Sequence, residues 1–135
     1  MMRLILAAIC MLFAGYALAR NSGQWATDDE ISHWIGRLMQ PDRPPEWPQS
    51  CCGEADMYYA DSFRSSPDGY IAIITDERDD LPLRRPHVDV GTEVKVPNAK
   101  IKWDEGNPTG HALIFLGFED GHPTKVFCYV PGGGG

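Results

Sequence analysis

His87-Val88-Asp89 sets an imidazole and a carboxylate two residues apart, on one face of any extended strand. Neutral imidazole with carboxylate suits zinc or copper, and His111 or His122 could bring a second imidazole from elsewhere in the chain. The metal-ligating set read here is therefore His87, Asp89 and His111, although a surface histidine hydrogen-bonded to a neighbouring aspartate has the same signature. A second centre is Asn107-Pro108-Thr109-Gly110-His111, a run of turn formers that carries a histidine. Conformationally fixed loops of this kind hold ligand sites, and the same chemistry also serves simply to reverse a chain. With the aromatic residues Trp47, Tyr58, Tyr59 and Trp103, Asn107 and His111 make up a candidate surface for a ligand or partner.

Of the four cysteines, Cys10 lies in an N-terminal apolar run and Cys51, Cys52 and Cys128 lie beyond it. Adjacent residues have Cα atoms about 3.8 Å apart, below the usual disulfide window of roughly 4.4–6.8 Å, so a Cys51–Cys52 ring is disfavoured. A long-range bridge is expected, from Cys128 to Cys52, with Cys51 as the alternative partner, because Gly53 lets the chain turn beside Cys52. The third thiol has no C-x-x-C or zinc-type spacing, and its nearest charges are Glu54 and Asp56, which would raise a thiol pKa. Glu54, Asp56 and Asp61 lack the spacing of a calcium loop. There is no nucleophile elbow, no phosphate-cradling glycine pattern and no H-E-x-x-H.

The elements that must carry these residues follow from the pattern of apolar and turn-forming positions. Met1-Met2-Arg3 and the apolar run from Leu4 to Tyr16, closing on Ala17-Leu18-Ala19, read as a secretory signal peptide cleaved before Arg20. The run is shorter than the roughly 20 apolar residues that span a bilayer. Thr27-Asp28-Asp29-Glu30 reads as a capped helix start, followed by the stripe Ile31, Trp34, Ile35 and Leu38. Pro41, Pro44, Pro45 and Pro48 end that helix, and the stretch to Ser50 is expected to run extended over the surface with Trp47 as its anchor.

Met57 to Phe63 and Tyr70 to Thr75 read as two strands joined at Pro67-Asp68-Gly69. Asp76 to Asp80 reads as an exposed acidic loop, and Val88, Val90, Val94 and Val96 as two short strands around Gly91. Ala112 to Phe118 and Lys125 to Val130 form a final hairpin about a loop from Glu119 to Pro123. The fold class is α+β and β-rich: one N-terminal amphipathic helix and about six short, mostly antiparallel strands, in a twisted sheet or a partly open barrel, with a disulfide staple. Residues 1–19 are the leader, 20–131 a single domain, and 132–135 a glycine tail.

Loss of the leader leaves eleven basic against nineteen acidic side chains, a net charge of −8. Such a surface repels nucleic acid and anionic lipid. The motifs Glu46-Trp47-Pro48, Cys51-Cys52-Gly53-Glu54-Ala55-Asp56, Ile101-Lys102-Trp103-Asp104, Asn107 to His111, and Phe127-Cys128-Tyr129-Val130-Pro131-Gly132 resemble those of small secreted proteins of alphaproteobacteria. These pair a Trp-Pro and Cys-Cys segment with a cysteine, aromatic, proline and glycine ending. The resemblance implies a secreted, disulfide-containing small domain and no particular activity. The expectation is thus a periplasmic or secreted non-enzymatic module that binds a protein, glycan or small ligand through the loops around Cys52 and Asn107–His111. The alternatives are a periplasmic zinc- or copper-binding protein and a secreted hydrolase or redox enzyme.

Overall fold

The computed structural model describes residues 29–103 and 106–132. The leader, the Thr27 cap and the last three glycines lie outside the described residues. In chain order the elements are α1 (Asp29–Arg37), β1 (Asp56–Tyr59), β2 (Ser62–Ser66), β3 (Gly69–Ile73), the one-turn helix α2 (Asp80–Leu83), β4 (Glu93–Pro97), β5 (Leu113–Glu119) and β6 (His122–Val130). The strands form two antiparallel three-stranded sheets, in the orders β1-β5-β6 and β2-β3-β4. No helix among the described residues is long and apolar enough to cross a membrane.

Leu113-Ile114-Phe115-Leu116 is apolar without alternation because β5 is the middle strand of a sheet covered on both faces. Leu113 and Phe115, with Met57, Cys128 and Val130, pack against Trp34, Ile35 and Leu38 and the Cys51–Ala55 segment. Ile114 and Leu116, with Tyr58 and Tyr129, pack against Ala72 and Val96 of the second sheet. The result is three layers, with helix and loop on one side of the central sheet and β2-β3-β4 on the other. The second sheet alternates as a half-solvated sheet should: Ala72 and Val96 are buried, while the Arg64–Glu93 ion pair is exposed. Gly69 is required in β3, because a Cβ there would run into the Val96 carbonyl oxygen of the neighbouring strand.

Several elements differ from the sequence-based expectation. The run from Met57 to Phe63 is two strands in two different sheets. Ala60 and Asp61 make the corner, with Ala60 N–H donating to the Ala112 carbonyl and Asp61 N–H to Thr75 Oγ1. Val88 to Val90 is not a strand; Val88 is buried in the core, and Val90 stands half-exposed before Gly91, whose φ is +92°. The final hairpin is tighter than expected. Asp120 and Gly121 both have positive φ, so a two-residue turn suffices and β6 already begins at His122. Trp47 is 76% exposed and anchors nothing. The proline-rich loop is instead closed at its base by the Met39–Ser50 bridge and by Cys51 N–H donating to the Leu38 carbonyl.

The mid-chain to tail disulfide is present, but its partner is Cys51 rather than Cys52: Cys51 and Cys128 are joined, with Cα atoms 5.5 Å apart and a sequence separation of 77. Cys128 opposes Phe115 on the face turned toward α1, and Cys51 is already carried there by the Leu38 hydrogen bond, so no turn at Gly53 is needed. Cys52 is a buried free thiol whose pKa burial pushes up to about 11, which keeps it protonated and inert. Closing a loop of this length stabilises the fold by about 4 kcal/mol in the chain-entropy model. Accordingly, in the chain that starts at Arg20 and so lacks Cys10, Cys52→Ser should retain the bridge and show no alkylatable thiol even when unfolded, whereas Cys128→Ser should lower the thermal midpoint by about 10 °C or more. Mass spectrometry after denaturing alkylation distinguishes the pairings, and loss of the bridge in Cys52→Ser would refute the Cys51 assignment.

Candidate functional site

The free edge of β1 is met by side chains. Tyr59 N–H donates to Asp76 Oδ2 at 3.0 Å, and the Met57 carbonyl accepts from Arg85 Nη1 at 3.0 Å. Asp76 and Arg85 are themselves paired at 2.7 Å, with almost no side-chain exposure on either. Together they satisfy the edge groups that a neighbouring strand would otherwise take. Arg78 adds bonds from its backbone N–H, Nε and Nη2 to the same carboxylate, and the Arg85 guanidinium lies 4.5 Å from the Tyr58 ring centroid. Burial alone would push the Asp76 carboxyl up. The hydrogen bonds from Arg78, Arg85 and the Tyr59 and Arg78 amides outweigh it and hold the group far below the ordinary aspartate range.

The same guanidinium reaches outward to Asp80 at 2.8 Å, and Asp80 in turn binds His87 Nδ1 at 2.6 Å. The other ring nitrogen of His87 binds Asp89 at 2.6 Å. Only an imidazolium donates from both nitrogens, and the bonds to Asp80 and Asp89 raise the His87 pKa. His87 and Asp89 of the expected metal set are therefore in contact, but as an ion pair, and His111 is engaged with a different carboxylate. Among the described residues no three His, Cys, Asp or Glu side chains are grouped so as to hold a metal ion.

His111 lies at the opposite end of β1 from Asp56, where Tyr59, Leu113 and Val130 stand side by side across the central sheet. Its Nδ1 bonds Asp61 Oδ2 at 2.9 Å, while Asp61 Oδ1 accepts the Ala112 N–H and Thr75 Oγ1 donates to Oδ2. The preceding loop is built to hold this ring. Asn107 Nδ2 donates to the His111 carbonyl, its Oδ1 accepts from Thr109 N–H and Oγ1, and Gly110 takes the φ of +75° that closes the turn. The imidazole stacks flat on Tyr59, with centroids 3.8 Å apart and planes 7° from parallel, and the Arg78 guanidinium also lies 3.8 Å from the Tyr59 centroid.

A histidine held by a carboxylate through Nδ1 has its ring orientation and tautomer fixed, and Nε2 left for a ligand or a proton. No serine or cysteine hydrogen-bonds His111 among the described residues. The arrangement offers a fixed imidazole nitrogen to a ligand.

Of the remaining expected surface residues, Trp103 is 68% exposed and meets Tyr70 edge-on at 6.3 Å; Tyr70 stacks on the half-exposed Phe63 at 4.8 Å. Ile101 pairs in parallel with Tyr129, and Lys102 N–H donates to the Tyr129 carbonyl, which brings Trp103 to the same end of the central sheet as His111. Tyr58 is a correction. It is completely buried, and its hydroxyl donates to the Pro86 carbonyl, because even-numbered positions of β1 face the second sheet. Asp76 is another, since the acidic segment was expected to be exposed and Asp76 is buried. Asp61, Phe63, Tyr70, Asp76, Arg78 and Arg85 were not read as site residues; Asp61 and Asp76 acquire their roles from partners far away in sequence, His111 and the Tyr59 amide.

No protein-family model, curated protein or solved structure matches the chain.

The Asp76 pairing has a defined pH signature. Its folded pKa is depressed, so its stabilisation is complete above the unfolded value of about 3.9 and is lost as the pH falls below it. Urea midpoints measured between pH 2.5 and 7 should fall on the acid side. Asp76→Asn should lower stability at pH 7 by about 3–5 kcal/mol and flatten the acid limb. An unchanged acid limb in that variant would show that the pair does not carry the edge.

Proposed function

We propose that the protein is an exported, non-enzymatic binding module that takes its ligand at the end of the central sheet formed by Trp103, Asn107 and His111. The observation that carries this reading is the Asp61–His111 pair: an imidazole locked by a carboxylate and a five-residue hydrogen-bonded loop, with one ring nitrogen unengaged by protein among the described residues. Strong local bonding spent on orienting a partly exposed polar ring contributes little to the core, and it is the pre-organisation that recognition requires. Trp103, two-thirds exposed at the same end of the sheet, offers a large rigid contact surface at low entropic cost. Export is supported by the leader pattern of residues 1–19, by the resemblance to small secreted proteins, and by the Cys51–Cys128 disulfide, which fits an oxidising compartment.

The test is a fragment titration of the protein recovered from the periplasm of an expression host, followed by amide chemical shifts. A cocktail of neutral polar fragments, monosaccharides and aromatic heterocycles should perturb amides near Tyr59, Asp61, Trp103 and Asn107–Ala112, and His111→Gln should reduce those shifts. Perturbations confined to the surface around Asp80 and His87, or none at all, would refute this placement.

A further inference from the structure

Resting on the binding reading above, we propose that the ligand is an uncharged oligosaccharide, laid along the strip His111, Asp61, Phe63, Tyr70 and Trp103. The strip joins two side-chain groups through the Asp61–Phe63 segment of the chain. His111 bonds Asp61 at 2.9 Å. Phe63 follows Asp61 by two residues, about 7 Å along an extended chain. Tyr70 stacks on Phe63 at 4.8 Å, and Trp103 meets Tyr70 edge-on at 6.3 Å. Tyr70 is half-buried and packed against the core, so it braces the two rings that remain open to solvent, Phe63 at 49% and Trp103 at 68%. A pyranose ring is amphipathic. One face presents C–H groups that stack on an aromatic ring, and its rim presents hydroxyls that need donors and acceptors in fixed positions. Exposed rings supply the first, and the Asp61 carboxylate, the His111 imidazole and the Asn107–Thr109 loop supply the second.

The charges around the strip set the class more narrowly. Arg64, next to Phe63, is bound in bidentate fashion by Glu93, and Arg78 is committed to Asp76. Among the described residues Lys102 is the cation left beside Trp103, against Asp61 within the strip and a strongly acidic chain around it. A polyanionic glycan meets net repulsion there, whereas a neutral one pays no such cost. A purely apolar ligand would cover His111 Nε2 without giving it a partner.

The experiment uses the exported protein titrated with cellotetraose, chitotetraose and maltotetraose. Tetragalacturonate serves as the anionic comparison and indole as an aromatic probe that is not a sugar. Tryptophan fluorescence and amide shifts are followed together. At least one neutral tetrasaccharide should move the signals of Phe63, Tyr70, Trp103 and His111. Trp103→Ala and Phe63→Ala should each weaken it about tenfold. Because both rings are exposed, the thermal midpoint of each variant should stay near that of the parent, which separates lost contact from lost fold. Indole binding at these residues with no saccharide binding would overturn the glycan class and leave the binding module standing. Tighter binding of tetragalacturonate would overturn the claim of neutrality. Failure of every probe to move these residues would overturn both readings.

Discussion

A sheet edge closed by a buried carboxylate–guanidinium pair is the constraint from which the rest of this structure follows. β1 is an outer strand of a sheet whose two faces are both covered, so its outward N–H and carbonyl groups lie where water cannot serve them well. Asp76 and Arg85 serve them, and each also neutralises the other. An isolated buried charge is very costly. A pair that is fully hydrogen-bonded offsets much of that cost and adds geometric specificity, because a guanidinium fork accepts few alternatives. The pair thereby fixes the course of residues 76–90 across the β1 edge, including the Tyr58 hydroxyl bond to the Pro86 carbonyl and the outward chain of Asp80, His87 and Asp89. The lack of a strand at Val88–Val90 has the same origin: side chains already hold this segment, so it has no need of a ladder.

The three-layer arrangement separates two tasks. On one face of the central sheet, the helix, the Cys51–Ala55 segment and the Cys51–Cys128 bridge pack a dry cluster in which Cys52 is shielded and unreactive. At one end of that sheet β1 turns into β2 and the Asn107–His111 loop enters β5. The polar groups at that end are stiff because neighbouring strands hold them in place. Asp61 sits at the corner between sheets, Thr75 follows β3, and Ala112 precedes β5, so three separate segments meet on one carboxylate. A site placed on such a convergence inherits the rigidity of both sheets.

Parts of this were legible from residue order. The β5 and β6 segments could be read because apolar runs flanked Asp120-Gly121, and the β2–β3 turn because Pro67-Asp68-Gly69 admits little else. The loop holding His111 announced itself through Asn, Pro, Thr and Gly. The tail-to-middle disulfide was expected from the cysteine count, but the choice between two adjacent sulfurs depends on which of them the Leu38 hydrogen bond turns toward β6. Asp76 was hidden in the charge run Asp76 to Asp80, where one buried carboxylate among solvated ones leaves no local mark. Arg85 was hidden for the same reason beside Arg84.

Local chemistry, then, determined the β2–β3 and β5–β6 hairpins, the acidic composition, a long-range sulfur link and a histidine on a prepared loop, since each depends on residues within a few positions of one another or on composition. Tertiary structure alone decided that Met57 to Phe63 divides between two sheets, that Tyr58 is core while Tyr59 carries the imidazole, and that Asp61 rather than Asp89 holds His111. These outcomes turn on contacts between residues 17 to 50 positions apart, as in Tyr59 with Asp76 and Asp61 with His111. No local pattern encodes such contacts, because they are selected by the packing of whole layers.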